Sequence, residues 1–216
     1  MFVGRQAITL RTVRFGLPLF PLSLLYTGLI REWSEGSRSR TLPWNCAKNL
    51  KGAGTVARDM TPEHKKVLQE FEGFAAKAAT AKALMEFIAK RLHEKKTHYN
   101  WVGFYLVDPA DAAYLLVGPF VGSFTPHARI PLNTGLCGAA ASTGQVIVIQ
   151  DVTKDPRYLA GSALVKSEIV VPIFVKKKLA AELDIESYFA NTFVKAEQDF
   201  VEACAGVVAT YLGKSV

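Results

Sequence analysis

The stretch YNWVGFYLV, residues 99 to 107, is apolar at consecutive positions rather than at alternate ones. A strand of that kind can leave neither face to water, so it requires cover on both sides and belongs at the centre of a sheet. Asp108-Pro109 then turns the chain, and AYLLVGPF (113 to 120) returns as its hairpin partner. A second hairpin is predicted from EIVVPIFV (168 to 175) and LAAELDIES (179 to 187), with the lysines 176 to 178 as a charged tip.

Helices fill the intervals. Thr61-Pro62-Glu63 has a capping oxygen, a proline where the helix needs no N–H and an acid at the positive end of the dipole; Val67, Phe71, Phe74 and Ala78 follow at helical spacing. Thr80 caps a second helix with Leu84, Phe87, Ile88 and Leu92 inward. Asn133 to Gly135 leads into a short helix through Cys137 that Gly144 ends, and QVIVIQDV (145 to 152) is predicted as a strand. Phe200, Val201, Cys204, Val207, Val208, Tyr211 and Leu212 form one stripe of a long final helix, which makes Cys204 a core residue. Strands adjacent in sequence, with helices before, between and after them, predict an α/β (α+β) domain with a mostly antiparallel central sheet flanked by helices.

Charge locates the domain boundary. The chain carries a net +7, yet residues 1–58 hold nine Lys/Arg against Glu32 and Glu35, which leaves 17 charges of each sign from residue 59 onward. A neutral domain without a basic aromatic strand motif lacks the surface that displaces counterions from phosphates, so nucleic acid is not an expected partner. Residues 1–58 are read as a largely disordered extension outside the fold, and residues 59–216 as the domain. The extension is Arg-rich and free of acid as far as Ile30, the composition of a transit segment, which makes a mitochondrial location the expectation and a cytoplasmic one the alternative. Its sixteen-residue apolar run between Arg14 and Arg31 also leaves open a secretory or anchoring signal.

Cys46, Cys137 and Cys204 are too widely spaced for a disulfide ladder or a metal knuckle, and His93 and His98 are five apart, so no metal site is expected. A reducing compartment follows.

The blocks NWVGFYLV, GPFVGS, ARIP followed by GLCGAA, IQDV, SEIVVP and ELDIES, in that order and spacing over residues 61–212, resemble the GAF-domain family of free methionine-(R)-sulfoxide reductases. The resemblance implies a GAF fold, free methionine sulfoxide or a similar small amino acid as ligand, no tightly bound cofactor, recycling by an external thiol such as a thioredoxin-type protein, and a homodimer. Of the family's three cysteines, only Cys137 is present; His127 and Gly161 stand at the other two positions. The resemblance places Trp101 and Tyr105 at the methyl-sulfoxide end of the ligand, and Glu168 and Asp184 at its amino group or sulfoxide oxygen. Glu186 replaces a shorter Asp.

Sulfoxide reduction needs a thiolate to attack sulfur and an acid to protonate the departing oxygen. Cys137 at a helix start is expected to have a lowered pKa, with Gly135 and Gly138 allowing close approach to a ligand. Glu168 and Asp184 are expected to raise each other's pKa and supply the acid, and His127 to sit beside Cys137. Two readings stay open: a reductase with Cys137 as nucleophile and no internal resolving thiol, and a catalytically impaired domain that binds or senses a methionine-like molecule. Neither a phosphate cradle nor a chromophore-attachment context is visible.

Overall fold

The computed structural model describes residues 59–214. The transit, signal and disorder readings of residues 1–58, and the compartment they imply, lie outside the described residues. The described elements run α1 (Pro62–Ala75), α2 (Ala81–Lys95), β1 (Trp101–Val107), β2 (Tyr114–Val121), β3 (Arg129–Pro131), α3 (Gly135–Thr143), β4 (Ile147–Ile149), β5 (Ser167–Val175), β6 (Lys178–Ser187) and α4 (Lys195–Lys214). No described helix is long and apolar enough to cross a membrane.

The helix starts are where cap chemistry puts them. Thr61 Oγ1 accepts from His64 N–H at 3.1 Å, with Pro62 in the first turn, and Thr80 Oγ1 accepts from Ala83 N–H at 3.1 Å. The six strands form one sheet in the order β3-β2-β1-β6-β5-β4, and every neighbouring pair is antiparallel.

Alternation along the strands builds two cores. Val102 and Phe104 of β1, Ile169, Val171 and Ile173 of β5, and Leu183 and Ile185 of β6 pack with α1, α2 and α4, whose contributions include Phe71, Leu84, Ile88, Phe200 and Cys204. Cys204 is fully buried there. Trp101 and Tyr105 of β1 and Val170 of β5 pack on the opposite face with Leu136, Cys137 and Ala140 of α3. Two-sided cover, expected from YNWVGFYLV, is therefore met by different helices on each face.

Two segments depart from the sequence reading. The predicted strand 145–152 is reduced to Ile147–Ile149: Asp151 accepts from Thr153 N–H at 3.2 Å and caps a 3-10 turn (Val152–Lys154), while Gln150 donates to Phe193 O at 2.6 Å instead of extending the ladder. Arg129–Pro131, within the ARIP block, is an edge strand paired to Tyr114–Leu116. The second hairpin turns on Lys176 and Lys177, both at positive φ, which is the twist a two-residue hairpin loop requires; Lys178 already belongs to β6.

Candidate active site

The site lies on the α3 face of the sheet. In β6 the acids Glu182, Asp184 and Glu186 occupy every second position and so share that face, as Glu168 of β5 does. Trp101 and Tyr105 stand beside them on β1, where the register pairs Trp101 with Glu186 and Tyr105 with Glu182. The third wall is α3. The loop that leads into it packs tightly on its first turn because Gly138 carries no side chain: a Cβ there would meet the Asn133 carbonyl carbon at 2.9 Å.

These elements enclose a narrow cavity of about 20 Å³, room for about one water, so an amino-acid ligand enters only as its walls move apart. All seven residues singled out from the sequence line it: Trp101, Tyr105, His127, Cys137, Glu168, Asp184 and Glu186. The indole of Trp101 stacks on Phe120, with centroids 5.5 Å apart and planes 19° apart, and lies beside Tyr105 at 6.1 Å. Its Nε1–H is buried without a partner. Tyr105 donates from its hydroxyl to His127 O at 3.1 Å.

Cys137 is the third residue of α3, and its S–H donates to Asp184 Oδ2 at 3.7 Å. The expected lowering of its pKa does not occur. Burial pushes the thiol well up, and the carboxylates of Asp184, Glu182 and Glu168 push it further. The helix dipole acts against full desolvation and three nearby acids, and loses.

The acids follow the expected direction. Burial raises Glu168 and Asp184 well above the usual carboxylate range, reinforced at Glu168 by Asp184 and Glu186 and at Asp184 by Glu186. Burial also pushes Glu186 up to about 7. Asp184 Oδ1 has no hydrogen-bond partner.

His127 is tied through its ring to the 160 loop. Its Nε2–H donates to Ala160 O at 3.0 Å, and its backbone N–H donates to Thr125 Oγ1 at 3.2 Å. The expected imidazole support for Cys137 is therefore replaced by a backbone tie to the 160 loop. A Cβ built on Gly161 would sit 3.9 Å from His127 Cδ2 and 3.5 Å from Glu186 Oε1, so positions 127 and 161 are neighbours in space.

Glu182 is the residue the sequence reading missed. It is fully buried, and neither carboxylate oxygen has a partner. Burial raises its pKa well above the ordinary value, with Asp184 adding to the effect. The signal was present in Glu182-Leu183-Asp184-Ile185-Glu186, whose period of two places all three acids on one side.

A GAF-domain model matches residues 82–212. The free methionine-R-sulfoxide reductase of Escherichia coli is 33% identical over 130 residues, covering 60% of this chain and 76% of that protein. Protein YtsP of Bacillus subtilis is 37% identical over 110 residues, covering 51% of this chain and 66% of its own length. The structure of free methionine-R-sulfoxide reductase from Neisseria meningitidis, in complex with its substrate, superposes with a TM-score of 0.66 at 30% identity, covering 70% of this chain and 90% of that one. With the domain model matched over more than half its length and the same sheet and helices in place, this chain belongs to the GAF-domain family, and its relatives there include free methionine-R-sulfoxide reductases.

Proposed function

We propose that the domain binds free methionine-(R)-sulfoxide in this cavity and reduces it slowly, with Cys137 as nucleophile and an external thiol completing the cycle. The observation that carries this reading is the contact of the Cys137 sulfur with Asp184 Oδ2 inside an acid-lined, aromatic-walled cavity. Relatives named as free methionine-R-sulfoxide reductases, one of them solved with its substrate, support the ligand class.

The chemistry follows from the charge state of the site. Glu168 and Asp184, crowded and desolvated, share protons between them rather than both ionising. The ionised member accepts the thiol proton as sulfur attacks sulfur, while the protonated member gives a proton to the sulfoxide oxygen. The S–O bond of the substrate breaks, methionine leaves, and Cys137 keeps the oxygen as a sulfenic acid. One external thiol condenses with it, releasing water, and a second frees Cys137 as the two external sulfurs join in a disulfide. The unpartnered Trp101 Nε1–H is a donor for an anionic or sulfoxide oxygen, and Glu186 a counter-charge for the ammonium. A small thiol or a thioredoxin-type protein is the reductant we propose, and a homodimer the assembly.

One observation favours the binding-module reading. Among the described residues the cavity holds a single thiol: Cys204 belongs to the core on the other side of the sheet, and His127 and Gly161 carry no sulfur. With the Cys137 thiol pushed upward, the attacking thiolate is scarce at neutral pH.

The test is a steady-state assay on free methionine-(R)-sulfoxide with dithiothreitol or thioredoxin, run on wild type and Cys137→Ser. Turnover that disappears in the variant supports the reductase. Saturable binding without turnover in either protein replaces it with the binding module.

A further inference from the structure

The three side chains that the proposed reduction uses also form a donor set for a cation. Cys137 Sγ, one oxygen of Glu168 and one of Asp184 all lie within 4.8 Å of one another, and all three residues are buried. They come from α3, β5 and β6, so no local spacing in the sequence announces them. The sulfur and Asp184 Oδ2 are 3.7 Å apart. A tetrahedral zinc, with roughly 2.3 Å to sulfur and 2.0–2.2 Å to oxygen, holds such a pair about 3.5 Å apart. That edge of the coordination polyhedron is already formed, and the Glu168 oxygen needs to close by only a side-chain adjustment.

A second, independent observation points to a cation. Glu182, outside that donor set and fully buried, has no hydrogen-bond partner for either oxygen and acts electrostatically on Cys137, and Asp184 Oδ1 has no hydrogen-bond partner either. Among the described residues, no Lys or Arg lines the cavity. Buried carboxylates are ordinarily paired or bound to metal, because an isolated buried charge is costly. A ligand ammonium supplies one positive charge and cannot use a sulfur donor. A divalent cation supplies two and can.

We propose that Cys137, Glu168 and Asp184 form a three-ligand site for a thiophilic divalent cation of the zinc class, with Glu182 as the counter-charge behind it and the fourth position open toward the cavity mouth. Binding replaces the S–H bond of Cys137 by a metal–sulfur bond and releases that proton to solvent, with no change of oxidation state. The cation holds the nucleophile as a shielded thiolate and fills the ligand cavity, so it switches off any chemistry at the sulfur. The site stands independently of the reductase reading, since a chain can bind the cation without reducing sulfoxide, or the reverse.

The experiment is a titration of the full-length, reduced, chelator-treated chain with Co²⁺, followed by absorption. One equivalent is expected to bind with a near-ultraviolet thiolate-to-cobalt band. Cys137→Ser is expected to abolish the band, Asp184→Asn to weaken binding at least about tenfold, and Cys46→Ser to leave both intact. Absence of saturable one-equivalent binding overturns the proposal, as does a band that persists in Cys137→Ser or vanishes in Cys46→Ser. Should Cys137→Ser not fold, iodoacetamide labelling of wild-type Cys137, read on its peptide, decides the matter. Saturating Zn²⁺ is expected to slow labelling at least about tenfold, and unchanged rates overturn the site.

Discussion

Gly103→Ala tests whether the aromatic wall is built the way the structure shows. Gly103 lies between Trp101 and Tyr105 on the cavity face of β1, opposite Phe120 and Asp184. A Cβ there would come within 2.7 Å of both Trp101 Cζ3 and Phe120 Cβ, and closer still to Trp101 Cη2. The indole lies along the sheet because position 103 is bare, and a methyl group must push it off Phe120. Overpacking of this kind costs about 1–3 kcal/mol, and in a domain of this size each kcal/mol lowers Tm by roughly 2–4 °C, so a loss of about 2–12 °C is expected. Gly73→Ala is the control: nothing lies within 4 Å of its Cβ on α1, and removing a helical glycine gains about 0.5–1 kcal/mol. The assay is thermal and urea unfolding followed by circular dichroism, with tryptophan fluorescence reporting on the wall. The same chemical change should therefore have opposite signs at the two positions. A Gly103→Ala protein within about 0.5 kcal/mol of wild type, the usual range for neutral surface changes, with unchanged fluorescence, would refute the packing argument.

Glu182→Leu is expected to stabilise the metal-free chain by about 1–3 kcal/mol at neutral pH, the usual cost of burying a polar group without a partner; urea unfolding with a chelator present measures it. The sign with pH follows from the raised folded-state pKa of Glu182: the folded chain holds its proton longer than the unfolded one, so wild-type stability falls as pH rises above the ordinary glutamate value, and the advantage of Glu182→Leu grows in the same direction. Alkylation of Cys137 by iodoacetamide should be slower than that of an unperturbed thiol at pH 7 and rise only in alkaline solution; a rate plateau near neutrality would show that the helix start outweighs the acids after all. Gly161→Cys introduces a Cβ in ordinary van der Waals contact with Glu186, His127 and Thr125, and a thiol there should raise thioredoxin-driven turnover at least about tenfold by resolving the sulfenic acid within the molecule. Unchanged turnover, with the new thiol free, would show that the 160 loop does not bring position 161 to the sulfur.

Much of the fold was legible because short-range chemistry and burial agree in it. Thr61 and Thr80 cap the helices they introduce, and the uninterrupted apolar run of β1 demanded the two layers it received. The strand predicted over 145–152 failed because Asp151 and Gln150 make side-chain bonds that a β propensity cannot register. Arg129–Pro131 is too short to show a period at all. In the site, the seven residues taken from the resemblance meet in one cavity, yet the electrostatics around Cys137 were misread. A helix start is visible in Gly-Leu-Cys-Gly, whereas the acids that oppose it come from β5 and β6, 31 to 47 positions further along. Glu182 escaped for the opposite reason: its place in an alternating acidic strand was visible, but its lack of a partner is a property of the packed molecule.

The most direct measurement is a single turnover without reductant. Reduced chain is mixed with one equivalent of free methionine-(R)-sulfoxide, trapped with a sulfenic-acid reagent and mapped by peptide mass spectrometry. One trapping adduct is expected on the Cys137 sulfur, appearing together with one equivalent of free methionine and absent with the (S)-epimer. Methionine formed with Cys137 unmodified, or no methionine and an unaltered sulfur, would contradict the assignment of Cys137 as the nucleophile.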